Sequence, residues 1–207
     1  MLKDTGERVI PEKMDITNNL LIEHIARYHF ATLFAHGRVL DIASGTGYGT
    51  HIIAKRCKDK VQEIIGVDKD EAAVKYARSQ YYHPLSAHVV GDVTDPSLVD
   101  ELGEFDVIAS FETYEHIQEE EQFLDNLNRL LKPGGTLILS TPFGKGRGIP
   151  SGVPFHVHQI TMEEFKNLFE KYPYEVEFYY QNGALIVPES FRREEYYPIG
   201  IAVCRKE

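Results

Sequence analysis

The pattern E-x-x-E-H brings two carboxylates and an imidazole into one short segment, at Glu112, Glu115 and His116. Two more imidazoles, His156 and His158, follow in the pattern H-x-H, and an extended backbone would turn both to the same face. Carboxylates and imidazoles together can hold a divalent ion such as Mg²⁺ or Mn²⁺. Without a metal, a histidine can take the proton of an oxygen nucleophile, or simply line a pocket. His116 and His156 are therefore the candidate catalytic bases.

A glycine-rich loop is the second candidate site. The apolar run 39–42, interrupted by Asp41, leads into a loop with Gly45 and Gly47, and helical spacing resumes after the loop. Strand, glycine turn and helix together place backbone N–H groups against a ligand. The dinucleotide-binding pattern G-x-G-x-x-G would need a third glycine where Thr50 stands. Because Asp41 would repel a pyrophosphate, the loop favours a ligand that carries an ammonium group.

Strands and helices alternate along most of the chain, which predicts a parallel sheet wound on both faces by helices. The fold class is α/β, a Rossmann-like doubly wound sheet of about seven strands, mostly parallel with an antiparallel closing strand. The predicted strands are 38–42, 61–67, 86–90, 105–110, 136–140, 175–181 and 199–204. The predicted helices are 19–34, 52–57, 70–77, 119–131 and 161–171, and residues 182–197 are expected to form an extended connection.

Polar residues close four successive strands of this sheet. Asp41, Asp68, Asp92 and Glu112 each fall at or just beyond a predicted strand end. Ligands of doubly wound sheets bind outside the carboxyl ends of the strands. The sequence therefore predicts one binding site along this edge.

The length of 207 residues suits one domain with a sizeable core. Residues 1–36 are expected to form an N-terminal lid or substrate segment, whose first residues read as a frayed tail. Residues 37–141 form the ligand-binding core, and 161–207 the last helix and the closing strands. The Gly- and Pro-rich connection 142–160 is unusually long, and loops of this kind usually serve function, so we expect it to border the acceptor site.

Composition limits the possible partners and compartment. The formal net charge of −10 disfavours a grip on a nucleic-acid backbone. Cys57 and Cys204 have neither disulfide-framework nor zinc spacing, which favours a reducing compartment. The polar N-terminus does not resemble a signal peptide, and no apolar run reaches the roughly 20 residues that span a bilayer. We therefore expect a cytoplasmic protein that does not bind membranes.

Four ordered motifs make the chain resemble a class I S-adenosylmethionine-dependent methyltransferase, of the small-molecule type, from about residue 20 to 207. They are V-L-D-I-A-S-G-T-G at 39–47, G-V-D at 66–68, G-D-V at 91–93 and L-K-P-G-G-T-L at 131–137. Ser44 stands where the family often has cysteine. Segments 6–11 and 23–28 also resemble methyltransferases from polysaccharide and natural-product gene contexts.

The resemblance implies how S-adenosylmethionine would bind. The carboxylate of Asp68 would accept the ribose hydroxyls, Asp92 would accept from the adenine N6, and Asp41 would act on the ammonium through the loop or through water. The helix that carries His24 and Tyr28 would cover the cofactor. The expected cofactor-binding residues are Tyr28, Asp41, Ala43, Ser44, Gly45, Gly47, Tyr48, Asp68, Lys69, Gly91, Asp92, Val93 and Phe111.

The resemblance also implies a metal hypothesis. Ubiquinone-pathway and small-RNA methyltransferases hold a divalent ion with a similar E-x-x-E-H pattern, and the RNA enzymes add a later histidine. Here the ligands would be Glu112, Glu115, His116 and His156, binding Mg²⁺ or Mn²⁺. A metal-free site with His116 or His156 as general base stays open, as does a role for the cluster in shaping a loop or lining the pocket.

The expected reaction is O-methylation of a small hydroxylated molecule, such as a sugar or natural product. The alternatives are an N-methyltransferase for a small amine or amino sugar, an RNA 2′-O-methyltransferase, and a non-catalytic S-adenosylmethionine-binding protein. An NAD-dependent oxidoreductase is a further alternative, against which Thr50 speaks. The protein is expected to be a monomer or a homodimer.

Overall fold

The computed structural model describes residues 6–207, which form eight strands and six helices around one sheet. The strands are β1 (Gly37–Ile42), β2 (Val61–Asp68), β3 (Ser86–Val90), β4 (Phe105–Phe111), β5 (Leu131–Pro142), β6 (Tyr174–Asn182), β7 (Leu185–Pro188) and β8 (Ile199–Lys206). The helices are α1 (Asn19–Ala31), α2 (Tyr48–Arg56), α3 (Glu71–Gln80), α4 (Ser97–Leu102), α5 (Glu120–Leu130) and α6 (Met162–Asn167).

The strand order is β3-β2-β1-β4-β5-β8-β6-β7, so β4 and β5 are the two middle strands and β1 lies between β2 and β4. Strands β3, β2, β1, β4 and β5 run parallel, and β8 pairs antiparallel with both β5 and β6. The predicted α/β class and antiparallel closing strand are confirmed. The strand that was not expected is β7. It lies within the expected connection 182–197 and forms a hairpin with β6.

Alternate residues of the strands enter two separate cores, one on each face of the sheet. In β1, Val39 packs with α1 and α2, whereas Leu40 and Ile42 pack with the side chains of α4, α5 and α6. A period of two sends neighbouring side chains to opposite faces. Asp41 therefore points to the α1 and α2 face, beneath the glycine loop.

Side-chain caps begin several helices where the sequence indicated them. Asn18 accepts from the Leu21 amide, and Asp70 accepts from the Ala72 amide. Thr161 and Glu164 form a capping box at the start of α6. Helix α2 begins at Tyr48, earlier than the expected start at residue 52, because the left-handed Gly47 turns the chain directly into it.

Strand β5 also begins earlier than expected, at Leu131 instead of residue 136. Its first residue already pairs with Phe105, and the extra residues up to Thr136 form a bulge against Val107. The segment Lys-Pro-Gly-Gly at 132–135 is therefore a bulge within the strand. Helix α4 was not predicted, because its six residues are too short to show a helical period.

Cys57 and Cys204 are both buried and free. No helix formed by residues 6–207 is both long and apolar enough to cross a membrane.

Candidate functional site

The carboxyl ends of β1, β2, β3 and β4 border a cleft of about 660 Å³. Helix α1 and the N-terminal residues 7–9 line its other side. The cleft is lined by nearly all residues that the sequence pointed to: Tyr28, Ala43, Ser44, Gly45, Tyr48, Asp68, Lys69, Gly91, Asp92, Val93, Phe111, Glu112, Glu115, His116 and His156. Asp41 and Gly47 are the two that do not line it.

The glycine loop turns sharply through left-handed backbone at Ala43, Gly45 and Gly47, with φ values of 55°, 55° and 85°. A Cβ on Gly45 would meet no protein atom within 4 Å, so the space beside it is open to the cleft. A Cβ on Gly47 would lie 2.5 Å from the Cβ of Ala77, so this glycine lets the loop pack on α3. The two glycines thus have different roles: Gly45 leaves room for a ligand, and Gly47 allows the loop to pack on the core.

Asp68 is fixed at the end of β2 by two backbone amides. Its Oδ2 accepts from the Gly45 amide at 2.8 Å, and its Oδ1 accepts from the Asp70 amide at 2.8 Å. An ionised carboxylate has about four acceptor positions, so each oxygen keeps one for a ligand. Asp92 is held similarly, since its Oδ1 accepts from the Thr94 amide and hydroxyl. Both acids are pre-oriented at the strand ends that border the cleft.

Asp41 is fully buried and binds the two helices above it. The Tyr28 hydroxyl donates to its Oδ1 at 3.0 Å, and the Thr50 hydroxyl donates to its Oδ2 at 2.6 Å. Burial raises the pKa of Asp41 to about 7, an effect that these two hydrogen bonds oppose. A direct contact with a ligand is excluded by this burial, and only the expected indirect route through the loop remains.

Aromatic rings from three elements form one wall of the cleft. Tyr28 packs edge to face on both Tyr48 and Phe111, with ring centroids 5.4 and 5.1 Å away. The Tyr48 hydroxyl lies 2.8 Å from Nδ1 of His24. A Cβ on Gly49 would lie 1.9 Å from Cζ of Tyr28, so only glycine permits this approach of α1 to α2.

The first described residues lie across the glycine loop and are not a frayed tail. The Thr46 hydroxyl donates to the carbonyl of Val9 at 2.8 Å, and Val9 and Ile10 are buried. Arg8 forms an ion pair with Asp70 at 2.6 Å. We call residues 6–13 the N-terminal strap. It covers the loop that the sequence indicated as a ligand site, and the expected tail at residues 1–5 lies outside the described residues.

The two acids of the E-x-x-E-H pattern bond to β5. The Ser140 hydroxyl donates to Oε1 of Glu112 at 2.8 Å, and the Thr141 hydroxyl donates to Oε2 of Glu115 at 3.1 Å. Glu115 is almost completely buried, and this burial, together with the neighbouring Glu112, raises its pKa well above the usual range. These hydroxyls hold both carboxylates against the end of the sheet.

The two predicted catalytic histidines meet at the mouth of the cleft, with ring centroids 4.8 Å apart. Nδ1 of His116 lies 3.1 Å from the carbonyl oxygen of Phe155. Its Nε2 lies 3.9 Å from Oε2 of Glu7, and Nε2 of His156 lies 3.3 Å from Oε1 of Glu7. The carboxylate that joins both imidazoles therefore comes from the N-terminal strap. Burial and the neighbouring His116 lower the pKa of His156.

The four expected metal ligands thus do not form one group. Within residues 6–207, the residues that could jointly hold an ion, with ligand atoms within 4.8 Å of one another, are Glu7, His116 and His156. Glu112 and Glu115 lie outside that group, because the hydroxyls of β5 hold their carboxylates. The sequence could not reveal Glu7, which reaches the site only through the path of the strap.

His158 does not share a face with His156. Its Nε2 lies 3.1 Å from the carbonyl of Tyr114, and its Nδ1 lies 3.4 Å from Oε1 of Glu120. The segment is not an extended strand, because the Val157 amide turns in to bond the Glu115 carbonyl at 2.9 Å. The two imidazoles therefore serve different places.

Backbone strain in the described residues concentrates at this cleft. The three non-glycine residues with positive φ are Ala43, Glu112 and Phe155, at 55°, 50° and 71°, and all three line it. Such conformations cost roughly 1–3 kcal/mol each and cluster at functional sites. The strained residues therefore come from three separate segments, the ends of β1 and β4 and the loop before α6, and all of them border the same cleft.

Arg27 is a buried cation that the sequence analysis missed. It is fully buried on α1, where its NH1 donates to Oε1 of Gln181 at 2.9 Å. Its charge acts against the rise in the pKa of Glu115 and contributes to the depressed pKa of His24. The sequence did offer a signal. Arg27 and Tyr28 follow His24 by three and four residues, which places all three on one face of the helix.

A larger cleft of about 860 Å³ lies elsewhere, between α5 and α6. Its lining is mainly polar and includes Glu119, Glu120, Arg147 and Glu164. Apart from Arg147, which belongs to the connection 142–160, it contains no residue that the sequence indicated for catalysis or binding, and no strand end. We therefore place the candidate site in the smaller cleft.

Comparison with known proteins shows which proteins this chain is similar to. Residues 40–139 match the family model described as a methyltransferase domain. A Mycolicibacterium smegmatis protein, named “Probable S-adenosylmethionine-dependent methyltransferase”, is 34% identical over 84% of this chain and 65% of its own length. A ubiquinone biosynthesis O-methyltransferase of Pseudomonas aeruginosa is 32% identical over 50% of this chain and 44% of its own length.

A solved structure has the same architecture. A SAM-dependent methyltransferase from Aquifex aeolicus superposes with a TM-score of 0.65 over 94% of this chain and 96% of its own, at 17% identity. The chain spans less than two thirds of the length of the curated relatives it matches, 65% for the Mycolicibacterium smegmatis protein and 58% for a Mycobacterium tuberculosis protein that is 33% identical. The motifs, the fold and these relatives together support a class I S-adenosylmethionine-dependent methyltransferase.

Proposed function

We propose that this protein transfers the methyl group of S-adenosylmethionine to a hydroxyl oxygen of a small molecule. The observation that carries the proposal is the pairing, in one cleft, of the pre-oriented acids Asp68 and Asp92 with the imidazole of His116. Because β1 lies between β2 and β4, the acids occupy one half of the cleft and the imidazole the other. The ubiquinone biosynthesis relatives, which are O-methyltransferases by name, support an oxygen acceptor.

The residues present fit S-adenosylmethionine. Asp68 keeps two acceptor positions for the ribose hydroxyls, and the exposed Asp92 stands at the end of β3 for the adenine. The open space beside Gly45 accommodates the amino-acid tail without a Cβ in the way. The bound cofactor supplies an electrophilic methyl group on a sulfonium. Everything else in the proposal concerns how the protein orients the acceptor and removes its proton.

His116 is the better-placed base of the two histidines. A carbonyl oxygen only accepts, so the contact with Phe155 assigns the ring proton of neutral His116 to Nδ1. Nε2 then carries a lone pair toward the cleft. In the transfer, an acceptor oxygen forms a bond to the methyl carbon, the carbon–sulfur bond breaks, and the hydroxyl proton passes to Nε2. In-line positioning and this proton transfer together supply the rate.

The charge of the cleft limits the acceptor. Acids outnumber the cations Arg8 and Lys69 in its lining, so a phosphorylated acceptor or an RNA backbone would be repelled. The acids are Glu7, Asp68, Asp92, Glu112 and Glu115. A neutral polyhydroxylated or phenolic molecule fits this field best. A small amine also fits, which keeps N-methylation as the alternative.

The test is transfer of radiolabelled methyl from S-adenosylmethionine to catechols, sugars and amines, with His116→Ala and the exposed-histidine control His29→Ala. We expect methyl ethers of the hydroxylated acceptors and no N-methylated amines, and a kcat lowered about 10²- to 10⁴-fold in His116→Ala only. Transfer to amines alone would establish the alternative. Cofactor binding without turnover on any acceptor would indicate a non-catalytic protein.

A further inference from the structure

We propose that Glu7, His116 and His156 form a binding site for a divalent transition-metal ion at the mouth of the cleft. The three side chains come from separate parts of the chain: the N-terminal strap, the segment after β4 and the loop before α6. Their ligand atoms all lie within 4.8 Å of one another. Ligands of one tetrahedral ion at about 2.1 Å stand roughly 3.4 Å apart, so small side-chain movements would complete the site.

The polar groups at this place leave a gap that a cation would fill. In neutral His116, Nε2 carries no proton because Nδ1 donates to the Phe155 carbonyl. This lone pair faces carboxylate oxygens of Glu7 at 3.9 Å and Glu115 at 4.0 Å, too far for a hydrogen bond. The lone pair of His116 and the Glu7 carboxylate therefore lie side by side without a hydrogen bond between them. A metal ion would bind both of them, together with His156.

The contact with Phe155 also resembles the outer shell of a metal site. Histidines that bind metals usually donate the second ring N–H to a carboxylate or a backbone carbonyl, which fixes the ring and its tautomer. Phe155 supplies such a carbonyl from a left-handed backbone conformation, at a φ of 71°. The strained turn thus aims the lone pair of His116 at the gap between Glu7 and His156.

The donor set favours particular ions. Two imidazoles and one carboxylate suit Zn²⁺, Co²⁺, Ni²⁺ or Fe²⁺ better than Mg²⁺, which prefers oxygen ligands. The site thus differs in ligands and in metal from the expected set of Glu112, Glu115, His116 and His156 with Mg²⁺ or Mn²⁺. His116 would then be a ligand, and its lone pair would hold the ion instead of the acceptor's proton. An acceptor oxygen bound at an open position would lose its proton more readily.

The place of Glu7 gives the ion a second consequence, which rests on the proposed function. Glu7, Arg8 and Val9 line the cofactor cleft, so a cation held by Glu7 would also hold the strap over the bound cofactor. We expect Co²⁺ to slow the dissociation of S-adenosylhomocysteine at least about tenfold, and this effect to vanish in Glu7→Gln.

The test is a titration of the chelator-treated protein with Co²⁺, followed by its visible absorption. We expect the wild type to bind one ion per chain. The affinity for Co²⁺ should fall in Glu7→Gln, His116→Ala and His156→Ala by more than the roughly 10- to 100-fold that is typical when a residue next to a metal ligand is changed. The matched controls Glu163→Gln and His29→Ala, on exposed residues, should bind as the wild type does. Glu112→Gln should also bind, because Glu112 lies outside the proposed set.

No saturable spectral change in the wild type, or equal binding by Glu7→Gln and Glu163→Gln, would overturn the proposal and leave the three residues as an ion pair. The titration contains neither cofactor nor acceptor, so it is independent of methyl transfer. Co²⁺ binding without any turnover would reject the proposed function and keep the site. Turnover without Co²⁺ binding would reject the site and keep the function.

Discussion

The hydroxyl of Tyr28 donates a hydrogen bond to Oδ1 of Asp41 at 3.0 Å, and this contact ties α1 to strand β1. The hydroxyl of Thr50 ties α2 to the other oxygen of the same carboxylate. The acid that the motif places beside the glycine loop thus organises the two helices that flank the cleft.

Removal of the Tyr28 hydroxyl should weaken this arrangement. In Tyr28→Phe the buried Asp41 keeps Thr50 as its remaining side-chain donor, and an unsatisfied buried acceptor costs about 1–3 kcal/mol. We expect the free energy of unfolding to fall by that amount in urea denaturation. The control Tyr179→Phe loses only an exposed hydrogen bond to Glu177 and should change little. Equal stabilities of the two variants would contradict this role of Tyr28.

Gly49 should tolerate no side chain. Alanine favours a helix by roughly 1 kcal/mol over glycine, but its Cβ would lie 1.9 Å from the ring of Tyr28. We expect Gly49→Ala to lower the melting temperature and the affinity for S-adenosylhomocysteine, since α1 must move away. In the Tyr28→Leu background, where the ring is absent, the same change should be neutral or stabilising. A loss of equal size in both backgrounds would exclude the clash as its cause.

The raised pKa of Asp41 predicts a pH dependence of stability. Its usual value is 3.8 and its folded value is about 7, so between these pH values the folded state binds more protons than the unfolded state. Stability therefore falls as pH rises through this window, by about 4 kcal/mol in total. Asp41→Asn has no ionisable group there, and both hydroxyls can still bond to the amide.

We accordingly expect the difference in unfolding free energy between the wild type and Asp41→Asn to shift in favour of the variant from pH 4 to pH 7.5. Chemical denaturation at several pH values measures it, and the difference removes the contributions of other acids. A pH-independent difference would mean that Asp41 ionises normally in the folded state.

The N-terminal strap should loosen when its contact with the glycine loop is removed. Thr46→Val deletes the buried hydrogen bond to the Val9 carbonyl and keeps the side-chain shape. We expect faster hydrogen exchange in residues 6–13 and faster release of S-adenosylhomocysteine in stopped flow. The control Thr17→Val loses only an exposed bond to Asp15 and should leave both rates unchanged.

The parts of the fold that depend on local pattern could be predicted from the sequence. The alternation of strands and helices gave the sheet, and Asp68, Asp92 and Glu112 stand at strand ends as expected, because parallel strands bring their carboxyl ends to one edge. The caps Asn18 and Asp70 were likewise visible, since a cap acts within four residues.

The parts that depend on packing could not be predicted. Nothing in the spacing of Glu7 indicates that the strap carries it to His116 and His156, and nothing in the motif shows that two helices cover Asp41. The separation of His156 from His158 follows from a backbone bond to Glu115, which a two-residue pattern does not encode. Such contacts arise only after the distant elements have docked.

Binding of S-adenosylmethionine to Asp68 is the central claim, and a calorimetric titration of wild type, Asp68→Asn and the exposed control Asp95→Asn tests it most directly. Asparagine keeps one oxygen for the loop amides, and the melting temperatures show whether the fold is intact. We expect saturable binding by all three proteins. The affinity should fall about 100-fold in Asp68→Asn alone, because this variant loses two charge-assisted hydrogen bonds to the cofactor. Unchanged affinity in a folded Asp68→Asn would contradict the account.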